Sequence, residues 1–288
     1  MFFILILLLS VLVLFISLLR IRKYNLSMIK LKIFVLFLLI GLPHNSFSQF
    51  GITHEIGVIA GRVEFRSDYG QRDNTKNNLE NQGFGVAVVD YMNFSYTDNL
   101  NDYFKEHFKV RSELSYSQAN LQHYGEWVER GTPGSERLKA MRGSTELFNL
   151  GMQLEYNFIH IHDFENTIGS FNPYIGLGPQ ISYYTATATS TLGEMGDPSV
   201  TPTKYLIPSD GHPHGYSNES KAVFSATLNL GTRFKLTTMS DLIFDMRAQY
   251  FGSDWVDGLN PNKDLFKENK QNDWLTFVGL GYILYLDN

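Results

Sequence analysis

The sequence predicts an all-β fold, an eight-stranded antiparallel up-and-down transmembrane β-barrel with four long extracellular loops. Three observations lead there. Eight segments of about ten residues alternate apolar and polar side chains with a period of two, as a strand with two unlike faces must. The connections between them run long, short, long, short, and bacterial outer-membrane barrels join long outer loops to short periplasmic turns. Beyond residue 48 no apolar stretch approaches a helical span, so any crossing of a membrane must use strands.

The front of the chain is set aside before strands are assigned. Met28-Ile29-Lys30-Leu31-Lys32 opens a basic segment, Ile33 to Leu42 is an apolar run, and Ser46-Phe47-Ser48 offers small residues at the cleavage positions. Residues 28–48 therefore read as a secretory signal peptide, with Sec export and cleavage near Ser48/Gln49. Residues 1–27 hold a second apolar run, Met1 to Leu19, closed by Arg20, Arg22 and Lys23. Two export signals in series are redundant, so 1–27 are read as an N-terminal extension from a start codon placed too early. A genuine leading anchor is the alternative, and N-terminal sequencing of the native protein separates the two. The barrel is then residues 49–288.

The strands follow in order. His54–Phe65 and Gly83–Tyr96 alternate less regularly than the rest. In Phe108–Tyr116, Phe108, Val110, Leu114 and Tyr116 oppose Lys109, Arg111, Glu113 and Ser115. From Phe148 to Phe158, six apolar residues at even positions oppose Asn149, Gly151, Gln153, Glu155 and Asn157. Phe171–Thr187 is less regular. Ala222–Leu236 sets Phe224, Leu228, Leu230 and Phe234 against Ser225, Thr227, Asn229, Gly231, Arg233 and Lys235. Leu242–Tyr250 opposes its apolar row to Asp245, Arg247 and Gln249, and Asp273–Leu286 closes the set. A soluble barrel shares this period with its apolar face inward. The long connections near 66–82, 119–143, 188–221 and 252–272, against shorter ones near 97–107, 159–170 and 237–240, favour the membrane form. So does a polar face mixing glycines (Gly151, Gly231, Gly279, Gly281) with charges of both signs, which suits a narrow lumen.

Composition narrows the partners. The net charge is −5, and without the five basic, acid-free leader residues it falls to −10, so nucleic acid is an unfavourable partner. The chain has no cysteine, which excludes a lipoprotein anchor, a thiolate metal site and disulfides. Aromatic residues gather near expected strand ends, among them Phe65, Tyr69, Tyr91, Tyr96, Tyr116, Tyr156, Phe158, Tyr184, Tyr250, Phe251, Tyr282 and Tyr285. Rings with a polar tip favour the membrane–water boundary, and outer-membrane lipids are the expected surroundings.

Chemistry-bearing motifs are sparse. Gly176-Leu177-Gly178-Pro179 and Gly83-Phe84-Gly85 lack the third glycine, the helix and the distal acid of a dinucleotide site, and read as glycines within strands. His212-Pro213-His214, beside Ser209-Asp210-Gly211, is the compact His/Asp/Ser group and would suit a metal or serine-assisted hydrolysis. A solvated turn is the competing reading there, and also at His160 and His162. Asp254 to Asp264 is rich in oxygen ligands but departs from EF-hand spacing, so turn chemistry is expected. The inward charges Arg111, Glu113, Glu155, Arg233, Lys235, Asp245 and Arg247 are expected to pair into a plug, because an eight-stranded barrel is just wide enough for side chains to fill. No catalytic, cofactor-binding or metal-binding residue is assigned.

Thr53-His54-Glu55-Ile56-Gly57-Val58, Met141-Arg142-Gly143-Ser144-Thr145, Trp255-Val256-Asp257-Gly258-Leu259-Asn260-Pro261-Asn262 and Asn272-Asp273-Trp274-Leu275 resemble an uncharacterised flavobacterial (Bacteroidota) family of outer-membrane barrels. Members of that family are sometimes labelled glutamate dehydrogenase, which eight amphipathic strands do not support. The opening motif and Asn172-Pro173-Tyr174-Ile175-Gly176-Leu177-Gly178 also resemble the PorG-type barrel subunit of the type IX secretion system. Neither resemblance brings catalytic residues or a cofactor. The expected function is a non-enzymatic structural or partner-binding component of the envelope, with other envelope or secretion-system proteins as partners. The alternatives are a barrel-borne lipid or peptide hydrolase using His212/His214 and a small-solute channel.

Overall fold

In a computed structural model, residues 51–70, 79–97, 100–267, 269 and 271–286 are described, and 1–27 and 28–48, expected from the sequence to be an extension and a signal peptide, lie outside them. Eight strands close one antiparallel barrel: β1 (Thr53–Arg66), β2 (Gln82–Asn93), β3 (Phe108–Gln122), β4 (Met141–Asn157), β5 (Phe171–Ser190), β6 (Ser220–Thr237), β7 (Ser240–Phe251) and β8 (Trp274–Tyr285). Each pairs with its sequence neighbours, and β8 returns to β1 from Glu55↔Tyr285 to Arg66↔Trp274. No strand edge is left open, as a spanning sheet requires.

The two faces are inverted relative to a soluble barrel. Phe224 is 74% exposed and Leu280 68%, with Leu177, Val58, Leu230 and Met152 also on the outside, while Arg111, Arg233, Lys235 and Asp245 are fully buried inside. Only a hydrocarbon surround makes that arrangement favourable, so the fold is the expected eight-stranded up-and-down transmembrane barrel.

The strands differ from expectation mainly in length. β3 runs on to Gln122 and β4 begins at Met141, so the connection expected at 119–143 shrinks to 123–140. The reason lies in the outward residues there: Gln118, Asn120, Arg142, Ser144 and Glu146 are polar, so the hydrophobic alternation stops while the β3–β4 ladder continues to Gln122↔Arg142. Thr185, Thr187 and Thr189 extend β5 in the same way. β3 to β6 thus stand above the apolar belt as a wall. At the opposite end β2 stops at Asn93, and the shorter connections fold as helices α1 (Asp102–His107) and α4 (Ile161–Asn166). Between them in the chain, 123–140 carries α2 (Glu126–Glu129) and α3 (Pro133–Ala140). α3 opens on Pro133 with a capping box between Thr132 and Ser135, and α5 (Thr203–Leu206) lies in the longest loop.

The aromatic residues divide in a way the sequence did not indicate. Tyr96, Tyr116, Tyr156, Phe158, Tyr250 and Tyr282 face outward as expected. Phe65, Tyr69, Tyr91, Tyr184 and Phe251 are at most 1% exposed, and they fill the lumen and the cap instead of ringing the membrane boundary. Parity decides this: each belongs to the inward row of its strand or to a loop folded over the barrel mouth.

Candidate functional site

Alternation aims a charged row inward from β3, β4, β6 and β7, and closure brings the four rows face to face. Arg111 Nη1 lies 3.0 Å from Asp245 Oδ1, and its Nη2 lies 2.8 Å from Glu113 Oε2. Arg247 completes the ring, 3.2 Å from Asp245 Oδ2 and bonded to Glu113 Oε1. Tyr174 donates its hydroxyl to Asp245 at 2.6 Å, and Gly231 leaves the space for it, because a Cβ there would collide with the Tyr174 ring.

A second tier lies toward the short-turn end. Glu55 accepts Lys109 Nζ at 2.5 Å on one oxygen and Arg233 Nη2 at 2.6 Å on the other. Asp241 lies 3.4 Å from Lys235 Nζ and 3.6 Å from Arg233 Nε, and accepts the Tyr285 hydroxyl at 2.8 Å. Helix α4 closes this end. Phe164 is buried with Lys235 Nζ 5.8 Å from its ring centroid, and Glu165 accepts Asn93 Nδ2 at 2.6 Å and lies 3.4 Å from Lys109 Nζ.

All seven inward charges expected from the sequence therefore lie in the lumen. Glu55, Lys109, Asp241 and the turn residue Glu165 were missed as members of the set, although Lys109 shares the polar row of Arg111 and Glu113. Asp241 shares the parity of Asp245, so extending the row would have found it. Glu55 shares its row with Gly57, Ile59 and Val63, an apolar company that hides it, and Glu165 arrives from a helix that periodicity does not reveal.

Among the described residues, five strand carboxylates (Glu55, Glu113, Glu155, Asp241, Asp245) and five cations (Lys109, Arg111, Arg233, Lys235, Arg247) are buried in the lumen, and all of them except Glu155 lie within 4.0 Å of an opposite charge. Charges so paired offset one another's burial cost, and their side chains occupy the lumen. The facing wall from β1, β2 and β8 is apolar, with Ile59, Val63, Val89 and Phe277. A cavity of about 10 Å³ remains between Gly85, Ser115, Asn149, Arg247 and Phe277, hardly more than one water molecule needs.

At the other end the long loops pack into a cap with its own core. Tyr69, Tyr205, Trp255, Val256 and Leu259 meet Leu121, Met141 and Ala186 from the tall wall and Phe251 from the end of β7. Asp257 anchors it by accepting the backbone N–H groups of Asp68 and Leu259, each at 2.7 Å, and Thr145 donates to Val256 O at 2.5 Å. His123 joins three loops. Its Nδ1 accepts the Gly70 N–H at 3.0 Å, its ring centroid lies 4.9 Å from that of Tyr69, and Nε2 faces the Tyr205 hydroxyl at 3.5 Å. Burial, with Lys204 nearby, holds its pKa well below the usual histidine value.

The sequence-flagged loop residues separate. His212 Nε2 lies 3.2 Å from Glu219 Oε2 and its ring lies against Trp255, whereas His214 stacks on Tyr216. Glu219 also accepts from Tyr184 at 2.6 Å and Lys221 at 2.7 Å. Burial alone would raise its pKa, but these hydrogen bonds hold it below the usual carboxylate range. Ser209 pairs with His212 through backbone, and among the described residues no hydroxyl bonds either imidazole. The oxygens of 254–264 serve as turn acceptors, with Asn262 Oδ1 taking the Asp264 N–H at 3.0 Å and Asp254 lying 3.6 Å from Lys263. His160 lies 3.3 Å from Asp163 and packs edge-on to His107, and His162 sits edge-on to Tyr96. Among the described residues no group of three His, Cys, Asp or Glu side chains is placed to hold a metal ion.

No protein-family model matches the chain, and no curated protein matches it by sequence. Among solved structures it is similar to Neisserial surface protein A at 14% identity, over 81% of this chain and 98% of that one, with a TM-score of 0.41. A major outer membrane protein from Thermus thermophilus aligns at 13% identity over 82% and 99%, with a TM-score of 0.42. The outer membrane enzyme PagL aligns at 10% identity over 80% and 98%, with a TM-score of 0.32.

Proposed function

We propose that the protein is a non-enzymatic component of a bacterial outer membrane, anchored by its barrel and presenting the loop cap and the tall polar wall to another envelope protein. The observation that carries this reading is the lumen: matched buried charges fill it and α4 and the cap close its ends, so the outer surfaces are what remains for recognition. A closed barrel with an apolar exterior is the form outer membranes use, with the long-loop end outward. Export through residues 28–48, kinship with the flavobacterial barrel family and a place in a PorG-type secretion assembly belong to the same proposal. The hydrolase alternative loses support because His212 and His214 turn to different partners.

A tagged copy purified from native outer membranes in mild detergent tests it. Recovery of a partner in fixed stoichiometry, retained when His212 and His214 are both replaced by Ala, is the expected result. A barrel recovered alone, or lipid hydrolysis lost in that double variant, would overturn it.

A further inference from the structure

One section of the lumen concentrates buried polar atoms that lack a protein partner, beyond the scattered ones of the charged tiers such as Arg111 Nε and Arg247 Nε. Both carboxylate oxygens of Glu155, both amide atoms of Gln153, Asn229 Oδ1, Arg233 Nη1 and the Tyr91 hydroxyl are buried and make no hydrogen bond to protein. Their residues are at most 2% exposed. They are also neighbours. Glu155 pairs in register with Lys109 on one side and Gly176 on the other, and Gly176 pairs with Asn229. A methyl group on Gly176 would lie 3.7 Å from Gln153 Oε1 and 3.6 Å from the Asn229 Cβ, in ordinary contact, so the inner surface between these two side chains has space for it. Arg233 lies over the Tyr91 ring, 4.5 Å from its centroid, on the same inner surface.

We propose that this section binds a cluster of ordered water molecules, with Glu155, Gln153, Asn229, Arg233 and Tyr91 as its ligating side chains. The chemistry selects the ligand. A buried carboxylate without donors is among the costliest groups a fold can hold, so the section does not stay dry. A metal cation would satisfy only the oxygens. It would leave Gln153 Nε2 and Arg233 Nη1 unpaired and meet the charges of Arg233, Arg111 and Lys109, the cations that act most strongly on Glu155. An anion would be repelled by Glu155 itself. The ligand must be uncharged and both donate and accept, and it must fit between the Arg111 ring and the Glu55 tier.

Water meets all of these conditions, and at about three hydrogen bonds per buried molecule the orphaned atoms call for roughly two to three waters. They would be trapped between the two charged tiers, exchanging slowly with bulk. Glu155 is thus a hydrated carboxylate inside a plug whose other carboxylates are paired directly. This inference stands whichever partner the barrel meets outside.

A crystal structure of the mature chain at a resolution that shows water, with a second crystal soaked in thallium(I) acetate, tests the site. The expected result is two or more peaks about 2.6–3.2 Å from Glu155 and Gln153 atoms, without thallium anomalous signal. A dry section, a thallium peak, or Glu155 turned onto Lys109 or Arg111 would overturn the proposal. Oxygen-17 relaxation dispersion in micelles gives a second reading. Gly176→Val fills the space beside Gln153 and Asn229, and it should lower the number of long-lived waters relative to wild type; an unchanged number would also count against the site.

Discussion

Arg111 shows how much one lumen side chain carries. It serves Asp245 and Glu113 at once, both in a ring with Arg247, and all four are buried. Arg111→Met removes a cation and leaves two carboxylates sharing one, which should cost about 3–5 kcal/mol in urea unfolding from micelles. Adding Asp245→Leu to that variant should recover part of the loss, because the stranded charge goes with it. Gly231→Val drives a side chain into Tyr174 and should cost about 1–3 kcal/mol by overpacking. His123 makes a pH prediction. It is neutral in the folded cap and titrates near 6.5 when unfolded, so the unfolded chain binds the extra proton first. Stability should therefore fall as pH drops below about 6.5, by up to about 1.4 kcal/mol per pH unit, until the depressed folded value is reached. His123→Gln should flatten that part of the curve, and an equal slope in both proteins would exclude His123 as its source.

At the scale of elements, the cap and the barrel are distinct in what holds them. The cap rests on an apolar core around Trp255 and Val256 and on Asp257 as a backbone acceptor, while the barrel rests on its ladders and a charged interior. Trp255→Ala should therefore loosen loops without unfolding strands. Limited trypsin digestion is expected to cut the variant faster at Lys204 and Lys263 while β1 to β8 stay protected, and simultaneous loss of strand protection would show that cap and barrel unfold as one. Helix α4 is the counterpart at the other end. Its six residues seat Phe164 and Glu165 against the lower tier, a contact that no hydrophobic period foretells.

For the whole molecule, the matched lumen charges and the closed ends lead to two expectations. Folded protein should migrate faster than boiled protein in detergent gels, and planar bilayers holding it should stay silent. Steady conductance would mean that the plug opens. Legibility followed the contrast between the two faces of each strand. β3, β4, β6 and β7 set charges and amides against an apolar row and could be read outright. β1, β2 and β8 send Ile59, Val63, Val89, Leu275 and Phe277 inward opposite an equally apolar outside, so their period faded although the strands are as well paired as the others.

The sequence by itself determined the number of strands, their order and the inward parity of seven lumen charges, because each of these is a property of residues near one another in the chain. Tertiary structure alone decided which charges meet, that Glu155 stays outside the matched pairs, that Phe65, Tyr69, Tyr91, Tyr184 and Phe251 turn inward, and that the long loops form a packed cap. Those outcomes depend on barrel closure, which sets side by side residues as far apart in the chain as Glu55 and Arg233, and no local pattern records such a contact.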